Sequence, residues 1–176
     1  MLALALVVAV FSLAQSDLAG SQTKSAKKSS VTVISSYQIH LAVAINIARK
    51  RHGLRPLKLV PGLMRAAGRH SLQMAEKGFF SHSSANGGGF YARVRKFYGG
   101  GDPDDFAAGE NIFWTQSRTK PRGVVWRWLG SPDHRRILLS SNWRVFGVGA
   151  VKASHGPGVF RGRRVIIVTA DFAVKC

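Results

Sequence analysis

Two histidines and one glutamate stand in three short motifs: Phe79-Phe80-Ser81-His82-Ser83, Ala108-Gly109-Glu110-Asn111-Ile112 and Trp128-Leu129-Gly130-Ser131-Pro132-Asp133-His134-Arg135. Imidazole and carboxylate are the side chains that bind divalent cations or exchange protons near neutral pH. Two neutral imidazoles plus a carboxylate oxygen match the ligand preferences of Zn²⁺, with a fourth position left for water. The same trio can instead be a brace, with Glu110 accepting a hydrogen bond from a ring N–H and tying loops together. The residue types alone leave three readings open: a brace, reversible zinc binding by His82 and His134, and metal-assisted hydrolysis by His82, Glu110 and His134.

The positioning elements follow from periodicity. Residues 36–52 suit a helix with Leu41, Ile45, Ala48 and His52 on one stripe and Gly53 beyond its end. Pro61 suits a first helical position. From it Leu63, Ala67 and Met74 line one face, Arg65, Arg69, Gln73 and Glu76 the other, and Gly78 ends the helix. His82 then lies in the following loop, and His70, on the apolar face, reads as a core histidine. A short helix is expected over 90–97 and a loop over 99–105. A fourth helix runs from Pro121 to Leu129 and stops before Pro132. His134 is expected in a turn, with one further helical turn over 135–139. Strands are expected over 145–152 and 164–172, joined by a hairpin loop over 153–162. Helices first and strands late predict an α+β fold with helices packed on an antiparallel sheet.

The chain has 26 Lys and Arg against 8 Asp and Glu, a net charge of +18 over 176 residues. Such a surface attracts anionic partners over a range that salt shortens. The cations are spread through the domain, so nucleic acid is not singled out as a partner. Residues 1–20 read as a signal peptide because 2–13 are almost uniformly apolar yet too short to span a bilayer. Residues 21–35 read as a Ser/Lys-rich tether, and 36–176 as a single domain. Cys176 is the only cysteine, so no disulfide can close within the chain. Trp114, Trp126, Trp128 and Trp143, with Phe79, Phe80, Phe90, Phe97 and Phe113, form an aromatic-rich middle that suits core packing, with an apolar groove for a lipid as the alternative. Gly87-Gly88-Gly89 lacks the strand and the Lys-Ser/Thr ending of a phosphate-binding loop. No Gly-x-Ser-x-Gly surrounds Ser81, Ser83 or Ser131.

The three motifs, together with Asn46-Ile47-Ala48-Arg49, Gly53-Leu54-Arg55-Pro56-Leu57, residues 66–74 and Phe146-Gly147-Val148-Gly149, resemble a bacterial member of the CAP superfamily (cysteine-rich secretory proteins, antigen 5 and pathogenesis-related proteins). The resemblance implies a three-layer α-β-α sandwich whose cleft holds the histidines. It places His82, Glu110 and His134 at three of the four positions of a two-histidine, two-acid cleft and puts Ser131 where the second acid is expected, with Asp133 adjacent. It also implies a secreted protein, extracellular or periplasmic, acting as a binding module for an anionic envelope polymer or a lipid or sterol-like ligand, with peripheral membrane contact. Loss of the second acid weighs against catalysis, because general acid–base work benefits from paired groups. Zinc held by His82 and His134 is the cofactor the resemblance allows.

Overall fold

The computed structural model describes residues 29–99, 106–116 and 118–175. The elements are β1 (Val31–Val33), α1 (Ser35–Arg51), β2 (Lys58–Leu59), α2 (Pro61–Lys77), α3 (Phe90–Tyr98), β3 (Phe106–Thr115), α4 (Pro121–Leu129), α5 (Pro132–Leu138), β4 (Val145–Gly156) and β5 (Arg163–Lys175). The strands form one sheet in the order β1-β4-β5-β3, antiparallel throughout except for two-residue β2, which pairs in parallel with β4.

Alternation along β4 and β5 builds the two cores, because successive strand residues point to opposite faces. Phe146, Val148, Ala150, Val168, Ala170 and Phe172 bury one face against Leu41, Ile45 and Ala48 of α1, Val124 and Trp128 of α4, and Leu138 of α5. The opposite face carries Val151, Ala153, Val165 and Ile167 against Met74 and Ala75 of α2, with Ala173 beside Leu63 of α2 and Val94 of α3. The result is the expected three-layer α-β-α sandwich. Gly147 and Gly149 fall on the α2 face, where a Cβ would run into the backbone of Leu63–Met64 and of Ala67–Gly68. Helix α2 therefore lies directly on the sheet.

The polar residues of the early motifs are architectural. Asn46 exchanges two hydrogen bonds with the backbone of Leu57, at 2.9 and 3.0 Å. Buried Arg49 donates from Nη1 to the carbonyls of Leu138 and Ser140, at 2.8 and 2.9 Å, and so fastens α1 to the end of α5. Carbonyls at a helix C-terminus are a favourable place for a cation.

Several expectations change. Val31–Val33 pairs with β4 and so belongs to the sheet, not to a tether. Strand β3 was not foreseen, because Phe106–Thr115 mixes Gly, Glu and Asn with its apolar residues and shows no clean alternation. The hairpin strands run on to Gly156 and start again at Arg163, which leaves a connection shorter than expected, built around a single 3₁₀ turn. His134 stands within the first turn of α5 instead of in a turn before it, since Pro132 opens that helix. Trp128 is buried as expected, but Trp126 is 71 % exposed. Residues 1–28, residues 100–105 of the expected loop, and Cys176 lie outside the described residues.

Candidate functional site

Strand β3 is the edge of the sheet, and the site forms where loops from both helical layers meet around it. Adjacent residues of β3 point to opposite faces. Glu110 faces α2 and α3, while Asn111 reaches the other layer and donates from Nδ2 to the carbonyl of His134 at 2.9 Å. Consecutive residues of one strand thus fix the two histidine-bearing segments. Gly109 is required just before them, because a Cβ there would approach Trp143 Cζ2 to 2.8 Å.

Glu110 is buried and fully engaged. His82 Nδ1 donates to Oε1 at 2.7 Å, and Arg93 Nη2 of α3 makes an ion pair with Oε2. Arg93 Nη1 donates to Ser84 Oγ at 2.6 Å, and both terminal nitrogens reach the His82 carbonyl at 3.4 Å. Arg93 therefore clamps both the carboxylate and the loop that carries His82. The His82 ring is half exposed and meets Phe90 edge-on, with centroids 6.3 Å apart.

His134 Nδ1 lies 2.8 Å from Ser131 Oγ, and Ser131 immediately precedes α5. Partial burial lowers the pKa of the His134 imidazole, and the nearby His82 lowers it further. Because Glu110 holds the His82 ring and the next residue, Asn111, holds the His134 carbonyl, the fold brings the His82–Glu110 and His134–Ser131 pairs into one neighbourhood. Asp133 points to solvent and pairs with Arg136 at 2.6 Å, and its charge only partly offsets the lowering at His134.

Three members of the cluster were missed. His70 is a core histidine as expected, but its Nε2 also lies 3.9 Å from Glu110 Oε2. That nitrogen is 2.8 Å from the Ser81 carbonyl, which requires a proton on Nε2. Burial drives the His70 pKa down to about 4, against the pull of Glu110, so the ring is neutral near pH 7. Arg93 is the second. The third is Asp171 of β5, directly opposite Glu110 in the β3–β5 register. It is completely buried, and its pKa is raised well above 3.8, first by burial and then by the charge of Glu110. Two adjacent buried carboxyls cannot both ionise. Arg93 pairs with Glu110, and the proton stays on Asp171. A second acid thus stands beside Glu110, supplied by β5 and not by the Ser131 position. The sequence signal was present: Asp171 is the lone acid within the apolar run Val165–Val174.

This donor set does not assemble a zinc site with three protein ligands. Both Glu110 oxygens are occupied, and no group of three His, Cys, Asp or Glu among the described residues is placed to hold a metal ion. His82 and His134 offer at most two imidazoles, one short of the three protein ligands usual at catalytic zinc.

The family model for the cysteine-rich secretory protein (CAP) family matches residues 43–172. The chain belongs to the CAP family. This CAP domain is 30 % identical over 120 residues to the uncharacterised protein YkwD of Bacillus subtilis, covering 68 % of this chain and 44 % of YkwD. It is 35 % identical over 104 residues to the uncharacterised membrane protein YlbC of the same organism, covering 59 % of this chain and 28 % of YlbC. The chain thus spans less than half the length of these curated relatives. Among solved structures it resembles an extracellular SCP-domain protein of Bacillus anthracis, with a TM-score of 0.59 at 27 % identity, over 80 % of this chain and 41 % of that one. An outer surface protein of Borrelia burgdorferi shares the fold, with a TM-score of 0.66 at 19 % identity, over 84 % of this chain and all of that one.

Proposed function

We propose that this CAP domain is a secreted binding module that attaches to anionic, amphipathic surfaces of the cell envelope through the outer face of α1. The observation that carries this reading is an apolar row left in water. Ile39, Val43 and Ile47, spaced one helical turn apart, are 51 %, 53 % and 37 % exposed, and Trp126 of α4 stands nearby. Shallow grooves along this row are bordered by Lys50, Arg51, Lys120 and Arg122, with no Asp or Glu among their lining residues. Exposed apolar patches of this kind mark interaction surfaces. A polyanion without an apolar part would leave the row in water, and a second copy of this chain would set cations against cations. An anionic lipid surface satisfies both halves.

Four cations near such a surface contribute about 1 kcal/mol each. That total of roughly 4 kcal/mol is only a millimolar affinity, so insertion of Trp126 and the aliphatic row must supply the remainder. The His82–Glu110–Arg93 cluster acts in this reading as a brace for the edge of the sheet. A metal-dependent hydrolase built on His82, Glu110 and His134 gains no support from a carboxylate whose two oxygens are already taken.

The test is flotation of the full chain with phosphatidylcholine vesicles, with and without phosphatidylglycerol, beside a Val43→Ser/Trp126→Ser variant. Binding should require the anionic lipid, weaken with salt and fall sharply in the variant. Equal binding to neutral vesicles, or a variant that binds as wild type does, sinks the proposal.

A further inference from the structure

On the other helical layer, between α2 and α3, a groove of about 450 Å³ is lined by Arg69 and Gln73 of α2, Arg93 and Lys96 of α3, and the Ser84–Gly89 loop. We propose that it binds a hydroxylated anion of monosaccharide size, a sugar carrying a carboxylate or a phosphate. The inference is independent of the α1 surface and requires a different ligand.

Three features converge on that chemistry. The lining holds three cations and no carboxylate, so a negative group entering it meets no opposing charge. Arg69 and Lys96 stand at the rim, able to close on a ligand, whereas Arg93 is buried and fixed by Glu110 and Ser84. The second feature is an unmet donor: the buried Nε–H of Arg93 has no hydrogen-bond partner. A buried guanidinium N–H without an acceptor is costly, and an oxyanion is the acceptor that gains most from it. The third is an unmet acceptor: Gln73 Oε1 is likewise buried and unpaired. A carboxylate or phosphate oxygen cannot donate to it, but a hydroxyl can. One ligand that meets both needs presents an oxyanion and a hydroxyl together, as uronic acids and sugar phosphates do.

The lining is otherwise small and polar, with Asn86 Oδ1 turned back to the Gly88 N–H at 3.2 Å and only Ala92 and Phe97 as apolar members. It suits a sugar ring better than a lipid tail. The groove also adjoins the cleft through Arg93, whose guanidinium touches Ser84 on one side and Glu110 on the other. A ligand oxyanion on Arg93 therefore draws on the cation that pairs with Glu110, and binding should be felt at His82, which shares that carboxylate.

The experiment uses the full chain and NMR titration with four probes: glucuronate, glucose 6-phosphate, neutral glucose and inorganic phosphate. At least one acidic sugar should bind saturably, move the His82 ring signals and bind more tightly than inorganic phosphate, while glucose should not bind. Which acidic sugar is preferred tells carboxylate from phosphate. An Arg69→Gln/Lys96→Gln variant, changed only at rim side chains, should weaken the acidic sugar about tenfold or more, as expected for lost charge-assisted hydrogen bonds. Gln73→Met should weaken the sugar and leave inorganic phosphate unaffected. The proposal is overturned if neither acidic sugar saturates or if the rim variant binds as wild type does. Inorganic phosphate competing as tightly as the sugar would also overturn it, since the groove would then hold a bare ion.

Discussion

Replacing Asp171 by Asn tests the central electrostatic claim, that one of two facing carboxyls keeps its proton inside the folded domain. Asn preserves the shape, and its amide can donate to Glu110 as a neutral carboxyl can. What it removes is a titration. The folded chain holds a proton at Asp171 that the unfolded chain releases above about 3.8. Between that value and the raised folded value the native state binds more protons, so wild-type stability falls as pH rises. Below 3.8 both states are protonated and the penalty vanishes. The slope is about 1.4 kcal/mol per pH unit for one proton. The Asp171→Asn protein should therefore gain stability over wild type by about that amount for each unit above about pH 4 at which Asp171 stays neutral. Urea unfolding of both proteins at stepped pH, followed through buried Trp128, gives the difference curve directly. Subtracting the proteins at each pH cancels the other titrating groups. A flat difference curve would falsify the assignment, and one of opposite sign would mean that Asp171 is ionised and paired with Arg93.

Three further outcomes follow from the same geometry. His70 is neutral when folded, with a pKa near 4 against 6.5 for a free imidazole, so it contributes stability that is present above pH 6.5 and lost as pH falls toward 4. His70→Gln should flatten that loss, about 3 kcal/mol in all, in acid unfolding curves; an unchanged acid limb would refute the buried neutral ring. Glu110→Gln leaves the Arg93 guanidinium buried without its counter-charge and should cost about 3–5 kcal/mol. The cost should be larger at about pH 5 than at higher pH, where Asp171, freed of its charged neighbour, ionises and takes over the pairing; denaturant unfolding that shows less than about 1 kcal/mol at about pH 5 removes the brace. Gly149→Ala places a methyl against the backbone of Ala67–Gly68, and a drop in melting temperature corresponding to about 1–3 kcal/mol or more is expected; an unshifted melt would mean that α2 can lift from the sheet.

Composition, periodicity and punctuation determined much of this protein unaided. Pro61, Gly78 and Pro121 bracket helices because their backbone preferences act locally, and the β-branched run ending at Phe172 is a strand wherever it is placed. His82, Glu110 and His134 were identifiable as a group from residue type and motif. The tertiary structure decided what they touch. Strand β3 owes its conformation to pairing with β5 along its whole length, from Phe106 opposite Lys175 to Thr115 opposite Ile166, and a mixed sequence gives no local sign of that partnership. Register places Asp171 beside Glu110 although the two are far apart in the chain, and helix packing brings Arg93 and His70 to the same carboxylate. The exposure of Trp126 beside buried Trp128 is likewise a matter of which face α4 turns to the core. Local preferences are written residue by residue, whereas charge pairing and burial depend on distances that exist only once the layers have closed on the sheet.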